Sequence, residues 1–230
     1  MTKNSQSLSN NLSESQAREI QLVLADKVEL TPLKNKINYV AGVDVAYPDN
    51  QDGVFAAIVL LDAETLEIVE TSTAEQAVNF PYVPGLFSFR ELPPVIEAFH
   101  NLKTKPDIIV CDGHGIAHPR RFGLASHLGV IVDLPCIGCA KTTLLPSQEA
   151  PGPSRGNCAD IFLDGESVGR SLRTQDQVNP VYVSPGHKIT LRESIEWILR
   201  LCPKYRLPET TRQADQAVNT YVREASNKSS

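Results

Sequence analysis

The order of secondary-structure elements constrains this chain more than any other feature. Residues 39–47 read as a strand, and Asp49-Asn50-Gln51-Asp52-Gly53 as a turn. A very apolar strand follows over residues 54–62, then another over 66–72 after the turn Ala63-Glu64-Thr65. Joined by short connections, these make an antiparallel meander. From there helices alternate with strands: a helix over 88–102, a buried strand over 107–111, a helix over 122–133 and a short strand over 135–140. Residues 145–160 form a Pro/Gly-rich loop, and 161–169 with 178–184 a hairpin or strand pair. Two helices close the chain, over 190–201 and 209–225. The first of them carries Leu191, Ile195, Ile198 and Leu199 on its apolar face and keeps Trp197 partly buried. Ahead of the meander, residues 17–30 suit an amphipathic helix, with Ile20, Val23, Leu24 and Val28 near helical spacing.

A meander followed by alternation implies an α/β protein with one mixed sheet flanked by helices. That is the element order of a ribonuclease H-like domain. No repeat or long linker forces a boundary, so residues 17–225 are expected to form a single domain. Residues 1–16 are polar and rich in Ser and Asn, and are expected to be a disordered lead-in, with 226–230 a frayed tail. At 41% hydrophobic residues the chain can bury a substantial core. No stretch reaches the roughly 18 apolar residues that span a membrane. The first residues resemble neither a signal nor a transit peptide, which makes the cytoplasm the expected location.

The cysteines Cys111, Cys136, Cys139, Cys158 and Cys202 are odd in number and scattered, unlike a disulfide framework. Cys136 and Cys139 form a lone C-x-x-C with no second pair or spaced histidines to complete a zinc site. They read as small apolar residues at a strand end. The net charge of −5 counts against indiscriminate polyanion binding. A nucleic-acid site must then be local, with metal ions helping to neutralise phosphate.

Several acidic residues stand in unusual places. Asp44 lies in mid-strand, and alternation puts it on one face with Gly42 and Ala46, opposite Val43, Val45 and Tyr47. A buried carboxylate needs a partner. Taken alone, a salt bridge or a local backbone bond explains it better than metal. Asp112 ends an apolar strand and precedes Gly113-His114-Gly115. Functional groups gather at such carboxyl ends, although a turn-capping aspartate is also common before glycine. Glu91, early in a helix, could simply complement the helix dipole, and Asp215 could simply face solvent. Oxygen ligands from separate elements are what Mg²⁺ requires.

At this point the chain resembles the endonuclease V family. The matching stretches are Ala41-Gly42-Val43-Asp44-Val45-Ala46-Tyr47, Pro81-Tyr82-Val83-Pro84-Gly85-Leu86-Phe87-Ser88-Phe89-Arg90-Glu91 and the long block from Asp112-Gly113-His114-Gly115 to Gly129. Gly138-Cys139-Ala140-Lys141 and Ser184-Pro185-Gly186-His187 support it, and the resemblance runs from about Asn35 to Val222. It implies a ribonuclease H-like fold and Mg²⁺-dependent cleavage, with Mn²⁺ able to substitute. It further implies a substrate, DNA or RNA, that contains inosine. The cut falls at the second phosphodiester 3′ to hypoxanthine and leaves 3′-hydroxyl and 5′-phosphate ends.

By the same resemblance Asp44, Glu91 and Asp112 match the metal carboxylates, and Asp215 falls where a variable fourth ligand sits. Lys141 matches a lysine near the scissile phosphate; alone it reads as a surface lysine. Pro81, Tyr82 and Pro84 match a wedge that fills the place of an extruded base, although a rigid packing turn would look the same. Gly113 and Gly138 fit the backbone walls of a base pocket, or tight turns. His114, His118 and His127 cluster with Arg120 and Arg121, which suggests phosphate positioning ahead of general catalysis. Arg90 could hold phosphate or pair with a carboxylate. A monomer that repairs DNA is expected. The rivals are an inosine-specific endoribonuclease, a nuclease of the same fold that reads strand geometry, and a binding module that does not cut.

Overall fold

The computed structural model describes residues 12–48, 53–146 and 149–228. An eight-stranded sheet has the order β3-β2-β1-β4-β5-β8-β7-β6. Its members are β1 (Tyr39–Ala46), β2 (Gly53–Asp62), β3 (Ile68–Ala77), β4 (Ile108–Cys111), β5 (Cys136–Ala140), β6 (Cys158–Leu163), β7 (Glu166–Leu172) and β8 (Val181–His187). The meander pairs antiparallel, β4 and β5 run parallel to β1, and β8, β7 and β6 extend the sheet antiparallel. The expected mixed sheet is present. Its turn at residues 49–52 lies outside the described residues.

Helices cover both faces. α2 (Phe87–Asn101) and α3 (Leu124–Val132) lie on the face of Ala41, Val43, Ile109 and Cys111. α4 (Leu191–Leu201) covers Val40, Ile108, Val110 and Ile137 on the other face. Beside it, α5 (Glu209–Lys228) packs on Phe55, Ala57, Val59 and Leu61. Residues of β2 thus meet α2 and α5 alternately, which is why that strand is apolar without interruption. Gly42 lets α5 lie against β1, since a Cβ there would stand 2.0 Å from the Thr210 carbonyl oxygen.

Several features differ from the sequence reading. The first helix, α1, spans Glu14–Ala25 and so begins inside the stretch expected to be disordered. Ser13 and Gln16 cap it reciprocally, a signal that polar composition concealed. At the other end α5 continues to Lys228, past the expected start of the frayed tail. Pro93 and Pro94 sit in the second turn of α2 rather than the first, where neither can donate to the carbonyls of Phe89 and Arg90. The span read as one strand over 161–169 is a hairpin. Asp164 and Gly165, at φ 52° and 81°, turn the chain between β6 and β7, and an Asp-Gly turn of this kind is a direct hairpin signal.

The C-x-x-C pair lies within β5, with Cys136 in the core beneath α3 and Cys139 in the core beneath α4. Thiols on opposite faces cannot share one ion. No described helix is long and apolar enough to cross a membrane.

Candidate active site

The parallel ladder of the three central strands ends at one level. Val43 pairs with Cys111 and Cys111 with Gly138. Asp44, Asp112 and Lys141 therefore stand one to three residues beyond that level, Asp44 still within β1 and the other two just past the carboxyl ends of β4 and β5. Glu91 reaches the same place from α2, and Asp215 from α5 on the opposite face. These five residues, with Val43, Val45 and Leu124, line a cleft of about 360 Å³. The sequence-derived acids and the lysine are brought together.

The cleft is short of positive charge. Burial pushes the Asp44 carboxyl up to about 7, and the neighbouring Asp112 adds to this. Burial likewise raises Glu91 to about 7, against a hydrogen bond from Tyr47. The Tyr47 hydroxyl donates to Glu91 Oε1 at 3.0 Å. Lys141 Nζ lies 2.5 Å from Asp112 Oδ2. Burial opposes its charge, but the bond to Asp112 and the charges of Asp112, Asp44 and Asp215 prevail and raise its pKa.

All four acids offer hard oxygen donors and no sulfur, which suits Mg²⁺ or Mn²⁺. As the side chains stand, no three His, Cys, Asp or Glu groups among the described residues close on one ion. Lys141 supplies the cation at Asp112 instead. The donor chemistry fits a divalent ion, and side-chain rotation would have to complete the shell.

A second cavity, about 290 Å³, adjoins the first. Glu91, Asp112, Leu124 and Lys141 belong to both. Its other walls include Gly85, Phe87, Gly113 and His114. Burial lowers His114 to about 4, so the ring is neutral at pH 7, and its buried Nδ1 has no hydrogen-bond partner. Gly138 does not line this cavity. A Cβ there would meet Gly115 N at 2.4 Å, so its role is to let the segment 113–115 lie against β5.

The wedge loop flanks this cavity. Pro81 and Pro84 are exposed, and Tyr82 is 68% exposed with its ring 4.7 Å from that of Phe87. One carbonyl fixes the loop. Gly85 O accepts from Gln21 Nε2 at 2.9 Å and Arg120 Nη2 at 2.8 Å, and lies 3.1 Å from His118 Nε2. His118 Nδ1 accepts the Arg120 backbone N–H, so the ring proton belongs on Nε2, facing Gly85. Burial and Arg120 lower His118 to about 4. Gly85 itself holds φ +78°, which suits glycine.

Apart from His114, the side chains expected to position phosphate have protein partners in this structure. His118 and Arg120 hold the wedge. His127 is fully buried between Phe89 and Phe122, with ring centroids at 5.0 Å from each, and is bonded to Ser88 Oγ at 2.9 Å. It cannot reach a phosphate. Arg121 turns to Glu166 and Leu163 O in the β6–β7 hairpin. Arg90 donates to Phe80 O at 3.3 Å and lies 4.7 Å over the Tyr47 ring, so it too braces the wedge. Sequence reasoning missed Gln21 and Tyr47. Gln21 is only 1% exposed, a polar residue on the buried face of a helix.

Acidic groups at the carboxyl ends of the central strands of such a sheet define a nuclease of the ribonuclease H-like class. The chain belongs to the endonuclease V family, whose family model matches residues 23–216. Endonuclease V of Streptomyces avermitilis is 54% identical over 186 residues, 81% of each chain. That of Rippkaea orientalis is 49% identical over 201 residues, 87% of this chain and 88% of its own. The crystal structure of the Streptomyces avermitilis protein has a TM-score of 0.90 at 49% identity, covering 94% of this chain and 96% of that one. Endonuclease V of Ciona intestinalis, solved in complex with a 24mer DNA containing an inosine followed by a ribo-adenosine, has a TM-score of 0.81 at 26% identity, covering 92% and 98%.

Proposed function

We propose that this endonuclease acts in DNA repair, reading hypoxanthine in a strand and cutting the second phosphodiester bond 3′ to it, with Mg²⁺ as the cofactor. The observation that carries the reading is the shared wall. A cavity adjoins an acidic cleft: Glu91, Asp112, Leu124 and Lys141 bound both, and the other walls of the cavity carry no carboxylate, lysine or arginine. The inosine-bearing DNA seen with the Ciona intestinalis protein supports the choice of base.

Each group then has a task. Asp44, Glu91 and Asp112 would hold the ion, with Asp215 beside them. When bound, a divalent ion polarises the phosphate and provides hydroxide at neutral pH. Lys141 would leave Asp112 and neutralise charge building on the phosphate oxygens. Tyr47 holds one oxygen of Glu91 and leaves the other to the cleft. The extruded base would enter beside Gly113 and His114, which line the cavity. Tyr82 would occupy the gap in the stack.

The test uses matched oligonucleotides with inosine or adenine, in DNA and in RNA, with and without Mg²⁺. Cutting of the inosine strand two bonds along, and not of the adenine strand, is expected. Cutting that ignores the base would favour a nuclease that reads strand geometry, and cutting of RNA alone an endoribonuclease. Asp44→Ala and Asp112→Ala should each lower the rate by more than about a hundredfold, beyond the loss typical of outer-shell partners. Activity kept in both would remove these residues from the site.

A further inference from the structure

The loop between α4 and α5 has no part in the scheme above, yet it is pinned by many hydrogen bonds beside the cleft. Cys202 O accepts from Arg155 Nη1 at 2.7 Å and Gln175 Nε2 at 2.9 Å. Tyr205 O accepts from Gln175 Nε2 at 3.2 Å and Arg206 O from Thr174 Oγ1 at 2.7 Å. The Arg206 guanidinium donates to Asn179 O and Pro180 O at 2.9 Å each, and to Lys141 O at 3.2 Å. The loop is thus fixed to the residue that carries the Lys141 ammonium.

What this frame presents is an aromatic ring. Tyr205 is 41% exposed. The Arg212 guanidinium lies 3.9 Å from its centroid and the Lys204 ammonium 5.3 Å. Arg212 is itself held by Glu209 at 3.2 Å. It precedes Asp215 by three residues, so the two share a face of α5. Asp215 lines the cleft but not the adjoining cavity, and no residue of α5 lines that cavity. A strand that leaves a base in the cavity and crosses the cleft therefore continues towards α5 and Tyr205.

We propose that Tyr205, backed by Arg212 and flanked by Lys204, is a stacking platform for a nucleotide on the 3′ side of the scissile phosphate. The direction rests on the proposed function, because the cut falls 3′ to the base in the cavity. Every base has a π-face, so such a platform is indifferent to sequence, and the Arg212 cation beneath the ring adds to it. Lys204 is placed to meet the phosphate of the stacked nucleotide. The platform would hold the product strand that carries the 5′-phosphate.

The test compares two oligonucleotides, one complete and one with abasic nucleotides at the two positions 3′ to the cut, bound with the metal chelated. The wild-type protein should bind the complete strand roughly tenfold more tightly, within the range of one stacked base. Tyr205→Phe should keep that ratio. Tyr205→Ala should bring it to about one, and Tyr205→Leu should do the same while keeping apolar cover on Arg212. Their melting temperatures identify a variant that fails to fold. A wild-type ratio of one, or an undiminished ratio in the folded Leu variant, overturns the platform. An adenine strand binding as well as an inosine strand, with the ratio intact, would instead count against the base reading and leave the platform standing.

Discussion

The cleft and the histidine knot beside it are built from the same kind of material, titratable side chains taken partly or wholly out of water, and they solve the problem oppositely. In the cleft, burial first and the neighbouring Asp112 second raise Asp44 and Glu91 to about 7, against Lys141 at Asp44 and the Tyr47 hydroxyl and Arg90 at Glu91. In the knot, His114, His118 and His127 are lowered to between about 3 and 4, and each gives up its charge. One region stores an electrostatic demand that a cation would relieve; the other removes charge from its histidines beside the Arg120 guanidinium that ties the wedge. The difference is one of purpose. Binding an ion requires unmet charge, whereas holding a loop still requires bonds such as those that converge on Gly85 O, even though His114 Nδ1 and His127 Nε2 stay without a partner.

The sharpest way to break this contrast is to titrate stability. The folded carboxyls of Asp44 and Glu91 have pKa values above those of the unfolded chain. Below about pH 4 both states hold the protons and no penalty exists. Between about 4 and 7 the unfolded state releases protons that the folded state keeps, so rising pH favours unfolding, and above about 7 the penalty is complete. For Asp44 this is on the order of a few kcal/mol. In the metal-free protein, melting temperature should fall across that window. Asp44→Asn should raise it at pH 8 by about 5 °C or more, and Mg²⁺ should restore the wild type more at pH 8 than at pH 6. A flat melting profile in chelator would show that the cleft stores no such demand.

A smaller effect separates packing from phosphate contact in the knot. His127→Ala removes a buried ring from between Phe89 and Phe122 and leaves Ser88 without its partner. A loss of about 2 to 3 kcal/mol of stability is expected, read by denaturant unfolding. The salt dependence of DNA binding should not change. A slope shallower by about one in log–log form would restore His127 as a phosphate contact.

How far each region was legible in the sequence follows from the same contrast. The sheet was readable because Val54–Leu61 and Ile108–Cys111 are apolar runs with nowhere to go but the centre of a covered sheet. The acids were readable because a carboxylate beside Gly42, or at the end of β4, conflicts with its surroundings. The contacts of the knot were not legible because histidine and arginine near a carboxylate look alike whether they face phosphate or a carbonyl. Nothing local in the block from Asp112 to Gly129 says that His118 and Arg120 meet Gly85, which lies 33 and 35 residues away in sequence. Gln21, from α1, completes that cluster across a still longer span. The hairpin at Asp164-Gly165 and the cap at Ser13 are different. Both carried local signals, hidden by reading their segments for hydrophobic period alone.

Tyr47 joins the two regions and gives the finest test. Its hydroxyl bonds Glu91 in the cleft, and its ring carries Arg90, which in turn holds Phe80 O at the base of the wedge. Tyr47→Phe removes the bond to Glu91 and the hydroxyl's contact with Arg90 but keeps the ring under the guanidinium. The bond from Tyr47 lowers the Glu91 pKa, so its loss should raise that pKa further. More Glu91 would then be protonated on the acid side, and activity should fall several-fold at pH 6 with little change at pH 8. Discrimination of inosine from adenine should hold. Tyr47→Ala also takes the ring from under Arg90 and releases the wedge, so discrimination should fall along with the rate. If Tyr47→Phe lost discrimination as Tyr47→Ala does, the hydroxyl rather than the ring would be bracing the wedge, and the division between a cutting side and a choosing side would not pass through this residue.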